Sequence, residues 1–257
     1  MSGGLPWITV VTARVWTTPK PDAESGKENE DRFWLSGCRV GEPLTRPVYA
    51  AVADGASGSL FSREWARELV RLYGHSLSDE ALWRQAVQNW ERRTQGNDLP
   101  WYLAAKKAEG AQAAFVGVTC QADGTWEAVA AGDCCLIQRR ENQLQTAFPL
   151  SVADDFSSTP ALWATNAQPP QNRAATHRTA GNWSGGDDLY LMTDALALWC
   201  LREIEAGRDP WVWLDGIMSD KDFRQRVNLL RENGRLRGDD TTVLHLRFAD
   251  SPTESKN

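Results

Sequence analysis

The sequence predicts an α+β fold in which antiparallel β-sheets are layered against helices. Segments with strand character occur in clusters, segments with helix character occur in other clusters, and regular β-α-β alternation is rare. The chain has 257 residues, of which 42% are hydrophobic and 24% charged. This length and composition are ordinary for a globular protein with a sizeable core, and they leave one large domain or two small ones open.

Sequence patterns in the first half of the chain predict a polar loop at Pro19–Asn29, followed by two strands and three helices. Val48–Ala53 is a nearly unbroken apolar run, as expected of a strand that is covered on both faces. Trp65, Leu69 and Leu72 recur at four- and three-residue spacing, which predicts an amphipathic helix. In chain order, the predicted elements are strands at Arg32–Gly37 and Val48–Ala53 and helices from Leu60 to about Gly74, after Ser78, and at Pro100–Glu109.

The pattern changes after Gly110, where short strand-like stretches are separated by turn sequences. The predicted strands are Phe115–Cys120, Trp126–Ala131, Leu136–Arg140, Gln143–Phe148, Leu189–Thr193 and Thr241–Phe248. Helices are predicted at Leu196–Ala206 and Asp220–Asn233, and Leu244, Leu246 and Phe248 are expected to point inward. Ser151–Gly186 shows no clear period, and a loop that long in a compact domain is either mobile or functional.

Charge and cysteine content exclude several classes of protein. The net charge is −6 and no basic stretch is longer than Arg-Arg, which argues against binding to nucleic acid or to a membrane surface. No apolar run approaches the ~18 residues of a membrane span, and no secretory signal is visible. The five cysteines form no C-x-x-C pattern, so we interpret them as reduced thiols and expect a cytoplasmic protein.

Acidic residues recur where apolar strands begin or end. For a single aspartate in such a place, a turn or a helix cap is the more common explanation. Five such places in one chain are harder to explain in that way. They are Glu30-Asp31, Asp54, Asp133, Asp194 and Asp239-Asp240.

Carboxylates that meet at strand ends repel one another, so either protons or cations must neutralise them. Ligands that are all oxygen favour Mg or Mn over zinc, and the three histidines of the chain are not paired at metal-ligand spacing. Two hard ions held by carboxylates suit the hydrolysis of phosphate esters. In that chemistry a bridging water loses a proton and the resulting hydroxide attacks phosphorus in line.

These motifs, in this order along the chain, resemble those of the metal-dependent protein phosphatase 2C family, in its form as a bacterial-type serine/threonine phosphatase. The motifs are Asn29-Glu30-Asp31, Val52-Ala53-Asp54-Gly55, Ala131-Gly132-Asp133, Met192-Thr193-Asp194-Ala195 and Gly238-Asp239-Asp240-Thr241-Thr242. The resemblance implies an α+β, four-layer α-β-β-α sandwich with two central antiparallel sheets flanked by helix pairs. It also implies a single catalytic domain at residues 1–248, and we expect residues 249–257 to form a polar, disordered tail.

The resemblance further implies a metal-dependent serine/threonine protein phosphatase that hydrolyses phosphoserine and phosphothreonine with two or three Mn or Mg ions. Its metal-site residues would be Asp54, Gly55, Asp194, Asp239, Glu30, Asp31 and Asp133. Asp54 would bridge two ions and Asp133 would hold a third, with Asp54, Asp194 and Asp239 as the catalytic carboxylates. The implied partners are a phosphoprotein substrate and a cognate kinase or its target.

Three departures from the family pattern support a second hypothesis. Asp54-Gly55-Ala56 offers no histidine as general acid, and Gly110–Ala114 lacks the usual Gly-Ser-Thr. Gly26 stands where an arginine normally grips phosphate, so Lys27 is the expected phosphate-binding substitute. The alternative is therefore a catalytically weak phosphatase-like module that binds phosphoproteins or a partner kinase. A two-metal nuclease or pyrophosphatase would explain the carboxylates, but not the acidic charge or the order of the motifs.

Four other features of the sequence are interpreted separately from the metal site. Arg237-Gly238-Asp239 matches a cell-adhesion tripeptide, which we interpret as a coincidence. His245 is interpreted as a surface or interlayer histidine rather than a ligand. Arg139-Arg140 is expected to be a solvated strand end, close enough to Asp133 in sequence to meet an anionic substrate. Ser151–Gly186 is expected to flank the site as a specificity flap.

Overall fold

Two antiparallel sheets form the centre of the protein. The computed structural model describes residues 7–21, 29–38, 43–75, 79–95, 99–166 and 175–252. The first sheet contains, in spatial order, β1 (Trp7–Thr18), β11 (Thr241–Pro252), β10 (Asp188–Met192), β6 (Cys135–Arg140) and β7 (Gln143–Phe148). The second contains β2 (Arg32–Ser36), β3 (Val48–Gly55), β4 (Gln112–Cys120), β5 (Thr125–Ala131) and β9 (Thr176–Asn182), with β8 (Trp163–Ala164) beside β4.

Helices cover the outer face of each sheet. The described residues form α1 (Ser62–Tyr73), α2 (Asp79–Thr94), α3 (Trp101–Ala108), α4 (Asp194–Glu205), α5 (Trp211–Asp215) and α6 (Asp220–Glu232), of which α3 has no buried residue. Helices α1 and α2 pack on the second sheet, whereas α4, α5 and α6 pack on the first. The predicted four-layer α-β-β-α sandwich is therefore confirmed. No helix among the described residues is long and apolar enough to cross a bilayer.

Successive side chains of a strand point to opposite faces of its sheet, so they pack into different layers of the protein. Leu244, Leu246 and Phe248 point into the core between the two sheets, as the sequence predicts, where they meet side chains such as Val116 and Val118 from β4. Val243, on the opposite face of β11, belongs to the core beneath α4 and α6. A strand that is buried on both faces has little room for polar residues, which is why the central strands read as apolar runs.

Helix α1 follows the predicted period. Trp65, Leu69 and Leu72 are buried against the second sheet, together with Leu82 and Trp90 of α2. The indole of Trp65 donates a hydrogen bond to the carbonyl of Trp163, at 2.9 Å. This contact fixes α1 against the β8 segment.

Three of the described strands, β1, β8 and β9, and one helix were not predicted. Strand β1 pairs with β11 over its whole length, from Trp7 opposite Pro252 to Thr18 opposite Thr241. Strands β8 and β9 both lie inside Ser151–Gly186, where β8 pairs with β4 and β9 pairs with β5, so parts of that stretch belong to the second sheet. Helix α5 is only five residues long, which is too short for a periodic pattern to show.

The expected disordered tail needs correction. Because β1 supplies hydrogen-bonding partners beyond Phe248, β11 continues through residues 249–252. The domain therefore extends beyond the predicted boundary at residue 248. Residues 253–257 lie outside the described residues.

Candidate metal site

Sheet register places the predicted aspartates at one end of both sheets. In the second sheet Arg32 pairs with Ala53, so Asp31 and Asp54 are adjacent at the strand ends. In the first sheet Met192 pairs with both Cys135 and Val243. Asp194 follows Met192 by two residues and Asp133 precedes Cys135 by two, and antiparallel pairing brings them to the same level. Asp239 lies just before β11 at this end of the sheet.

Asp54 is the centre of the resulting aspartate cluster, which we define as Asp31, Asp54, Asp133, Asp194 and Asp239. Burial raises the pKa of Asp54 well above its usual range, and the charges of the other four members raise it further. Burial, followed by the charges of Asp133 and Asp239, raises the pKa of Asp194 to about 7. Burial and the charge of Asp239 also raise the pKa of Asp133. The five carboxyl groups are thus close enough to oppose one another's ionisation.

Asp31 provides the clearest sign that a cation fits here. Its side chain is 3% exposed, and burial, followed by the charges of Asp240 and Asp194, raises its pKa. Thr193 donates to Asp31 Oδ2 at 3.1 Å, but the buried Oδ1 atom has no hydrogen-bond partner. An orphaned carboxylate oxygen among other carboxylates is a donor set that suits a hard divalent ion.

The aspartates are neighbours rather than a ready-made metal cage. Among the described residues, no group of three or more His, Cys, Asp or Glu side chains has the geometry of a metal site. The metal-ligand roles of Asp54, Asp194, Asp239 and Asp133 therefore remain predictions.

Glu30 is bound to other side chains at the edge of the aspartate cluster. Its carboxylate accepts hydrogen bonds from Ser62 Oγ at 2.6 Å, Ser57 Oγ at 2.5 Å and Lys20 Nζ at 3.3 Å. Both oxygens already have donors, so this geometry favours a supporting role for Glu30 over direct binding of a metal ion. The bond to Ser62 also joins the start of α1 to the site.

Gly55 has a steric reason to be glycine. A Cβ atom at this position would lie 2.8 Å from the carbonyl carbon of Ser62 and 2.9 Å from its oxygen. The close approach lets α1 begin directly beside Asp54. Whether the carbonyl of Gly55 binds a metal, as the resemblance implies, stays a prediction.

Asp240 anchors the loops that carry the site. Its Oδ1 accepts a hydrogen bond from the backbone N–H of Lys20 at 2.8 Å, and its Oδ2 accepts from that of Glu30 at 2.6 Å. Arg231 of α6 acts in a similar way, donating to the carbonyls of Pro19 and Asp239. Both residues hold the end of β1 beside the start of β11.

Besides Arg231, two cationic side chains that sequence reasoning did not assign to the site lie there, among the described residues. Arg237 Nη1 lies 3.5 Å from Asp194 Oδ2, and its side chain is 46% exposed. The tripeptide that contains Arg237 was interpreted as a coincidence, yet its position two residues before Asp239 could have drawn attention to it. The second cation is Lys20, beside Glu30. Lys27, the predicted phosphate-binding residue, lies outside the described residues.

Arg139 is buried, which corrects its interpretation as a solvated strand end. Its guanidinium donates to Asp188 at 2.6 and 2.9 Å and to Asp215 at 2.8 and 3.0 Å. His245 Nε2 lies 2.6 Å from Asp188, and its ring stacks on Tyr190. His245 is therefore an interlayer histidine, as expected. None of these residues belongs to the aspartate cluster.

Comparisons with known proteins agree with the fold. No protein-family model matches the chain, and no curated protein matches it. Among solved structures, the photosystem II phosphatase PBCP has a TM-score of 0.57 at 16% identity, over 92% of this chain and 98% of the other.

Two further structures are similar at 16% identity and contain metal ions. The catalytic domain of the serine/threonine protein phosphatase PstP, in complex with two manganese ions, has a TM-score of 0.54 over 94% of this chain and 100% of the other. RsbX in complex with magnesium has a TM-score of 0.53 over 93% of this chain and 96% of the other. The chain therefore has the fold of the protein phosphatase 2C structures.

Proposed function

We propose that this chain is a metal-dependent serine/threonine protein phosphatase. The observation that carries the proposal is the convergence of five aspartates, from five separate parts of the chain, at one end of two sheets. Such a cluster is costly for a metal-free protein because buried like charges repel. Similarity to the manganese-bound and magnesium-bound phosphatase structures supports the same proposal at the level of the fold.

Asp54, Asp194 and Asp239 are proposed to hold two Mn or Mg ions, with Asp31 beside them and Asp133 available for a third. When bound, these ions supply Lewis acidity, which activates water for attack on phosphorus and offsets charge on the phosphoryl oxygens. The contribution of the chain is to fix the carboxylates. Thr193 orients Asp31, and the N–H of Ala195 holds Asp194 Oδ1 at 2.6 Å.

Arg237 is proposed to meet the substrate phosphate. Its guanidinium is half exposed and lies beside Asp194, so it can turn toward an anion that occupies the site. Arginine suits this role because its fork of N–H donors matches two phosphate oxygens. Lys27 remains a second proposed phosphate-binding residue.

A hydrolysis assay with matched variants tests the proposal. Wild-type protein should hydrolyse an aryl phosphate and a phosphoserine peptide with Mn²⁺, and EDTA should abolish both activities. Asp54→Asn should reduce turnover by at least about 100-fold, because it removes the carboxylate at the centre of the aspartate cluster, which would hold metal. Asp220→Asn, an exposed aspartate at the start of α6, should retain wild-type turnover.

The same assay separates the other two functions. Equal turnover in wild type and Asp194→Ala, together with tight phosphopeptide binding, would indicate the phosphatase-like binding module. Faster hydrolysis of DNA or pyrophosphate than of the phosphopeptide would indicate the nuclease or the pyrophosphatase. A cognate kinase, or the target of that kinase, is the phosphoprotein partner that we expect.

A further inference from the structure

The hydroxyl group of Thr193 is directed at the aspartate cluster instead of at its own helix. Thr193 is the N-cap residue of α4, a position where a threonine side chain commonly accepts a hydrogen bond from the first turn. No such bond forms here. The hydroxyl accepts instead from the backbone N–H of Thr242 at 2.9 Å and donates to Asp31 Oδ2 at 3.1 Å. Because the side chain is fully buried and both bonds are made, the direction of this donor is fixed.

A second threonine acts on the same carboxylate. Burial raises the pKa of Asp31, and hydrogen bonds from the side chains of Thr242 and Thr193 offset part of the rise. The hydroxyl oxygen of Thr242 also lies 2.7 Å from that of Thr17, to which Asn29 donates at 2.8 Å. Asp31 is therefore held by connected hydroxyl groups, and its carboxylate cannot rotate without breaking hydrogen bonds.

Backbone N–H groups engage one oxygen of two further aspartates. The N–H of Ala195 donates to Asp194 Oδ1 at 2.6 Å, and the N–H of Asp240 donates to Asp239 Oδ1 at 2.9 Å. Asp31, Asp194 and Asp239 thus each have one oxygen that is bound by the chain itself. Asp54, in contrast, accepts no hydrogen bond from the described residues.

The other oxygen of each engaged carboxylate is the one that a metal ion could use. Asp31 Oδ1 is buried without a hydrogen-bond partner, and Asp194 Oδ2 faces the half-exposed Arg237 at 3.5 Å. One oxygen per carboxylate suits Mg²⁺, which takes about six oxygen ligands in a near-ideal octahedron and keeps several waters. Ca²⁺ takes about six to eight oxygens and often uses both oxygens of a carboxylate. Asp31 could bind Ca²⁺ in that way only by giving up the bond from Thr193.

We propose that Thr193 determines which divalent ion the aspartate cluster accepts, because it holds Asp31 Oδ2 and leaves only Oδ1 for the ion. The inference rests on the proposed metal-dependent function, and it deepens that function by assigning the ion selectivity of the same site to a residue. Mg²⁺ and Mn²⁺, which both fit octahedral oxygen sites, are favoured over Ca²⁺.

Metal competition in the absence of substrate tests the proposal. Bound Mn²⁺ is followed by electron paramagnetic resonance while Ca²⁺ is added to displace it, which gives the ratio of the Kd for Ca²⁺ to the Kd for Mn²⁺. Thr193→Val replaces the hydroxyl with a methyl group of similar size and should lower this ratio about tenfold. Thr193→Ser keeps the hydroxyl and should keep the wild-type ratio. Thr125→Val removes a hydroxyl that donates to Asp123 at 2.6 Å in an exposed turn outside the cluster, and it should also keep the ratio.

An unchanged ratio in Thr193→Val, or an equal fall in Thr193→Ser, would overturn the proposal. Thr193→Val also deprives the N–H of Thr242 of its acceptor, so circular dichroism in EDTA checks that the variant is folded. If it is not folded, Thr242→Val takes its place, because this variant keeps that N–H and removes the second hydroxyl beside Asp31. The ratio should then fall in the same direction, and an unchanged ratio would overturn the proposal equally.

Hydrolysis of a phosphoserine peptide by the same variants separates this inference from the proposed activity. Ion selectivity that depends on Thr193, in a protein that does not hydrolyse the peptide, would uphold the inference and reject only the phosphatase function. Hydrolysis that requires Mn²⁺, with a ratio that does not depend on Thr193, would reject the inference and uphold the function. A wild-type protein that binds neither ion would overturn both.

Discussion

Gly132 connects β5 to Asp133 through a backbone conformation that glycine adopts most easily. Its φ angle is +80°, and a Cβ atom there would lie 2.8 Å from Ala114 Cβ and 2.9 Å from Leu162 Cδ2. Gly132→Ala should therefore lower the free energy of unfolding for two reasons. Backbone strain at positive φ should cost about 1 kcal/mol, and crowding of the added methyl group should cost a further ~1–3 kcal/mol. Urea denaturation measures the loss.

Gly186 provides the matched control for this change. Its φ angle is +93°, but nothing lies within 4 Å of a Cβ atom there. Gly186→Ala should lose only the contribution of the backbone, about 1 kcal/mol. If the two variants lost the same free energy, crowding at Gly132 would not be the reason that glycine stands before Asp133.

Among the elements, β6, β10, β11 and α5 are joined by an ionic network in which Asp188 contacts Arg139 and His245, and Arg139 also contacts Asp215. Asp188 is 1% exposed and accepts hydrogen bonds from Arg139, which also binds Asp215 of α5. Burial alone would raise the pKa of Asp188, but His245 and Arg139 outweigh burial and lower it. The carboxylate thus stabilises the fold as an anion.

Asp188→Asn should lower the free energy of unfolding by about 3 kcal/mol at pH 7, because it leaves the buried Arg139 guanidinium short of a charge partner. The difference from wild type should persist above the unfolded-state pKa of about 3.9 and shrink as the pH falls through the lower folded value. Urea denaturation between pH 3 and pH 7 measures both effects. Glu80→Gln, which breaks the exposed pair with Arg84, should cost less than about 1 kcal/mol. A loss for Asp188→Asn that does not change with pH would contradict the role of the charge.

Sequence patterns predicted the buried elements better than the edge strands. The apolar run of β3 and the spacing of Trp65, Leu69 and Leu72 in α1 reflect faces that are fully covered, so their patterns were visible. Strands β1 and β9 were missed, and both lie at sheet edges, where partial exposure weakens alternation. The edge strands β2 and β7 were predicted, so an edge position does not always hide a strand. The side chains of β9 are mostly polar and exposed, so the sequence there resembles a loop.

The carboxylates of the candidate site could be predicted from the sequence, but the residues that contact them could not. Each aspartate follows or precedes a strand, and strand order alone brings such positions together at a sheet end. The roles of Ser62, Lys20 and Arg237 depend on contacts between distant parts of the chain, which no local pattern encodes.

At the scale of the whole molecule, the aspartate cluster contains residues from both sheets. Asp31 and Asp54 come from the second sheet, whereas Asp194 and Asp239 belong to the first. In a metal-free protein the repulsion between these carboxylates opposes the packing of the two sheets. Divalent ions bound by carboxylates of both sheets would instead hold the sheets together. Metal binding should therefore stabilise the fold as a whole rather than one loop.

Thermal unfolding with and without Mn²⁺ measures this coupling. At a free Mn²⁺ concentration of 100 times Kd, binding should add about 2.7 kcal/mol to the free energy of unfolding. For a chain of this size the gain corresponds to a Tm increase of roughly 5–10 °C. Asp54→Asn should abolish the increase, and its own Tm in EDTA should exceed that of wild type because one buried repelling charge is gone. Asp220→Asn should show the full increase. A Tm in EDTA that is lower for Asp54→Asn than for wild type would mean that repulsion within the aspartate cluster does not limit the stability of the metal-free fold.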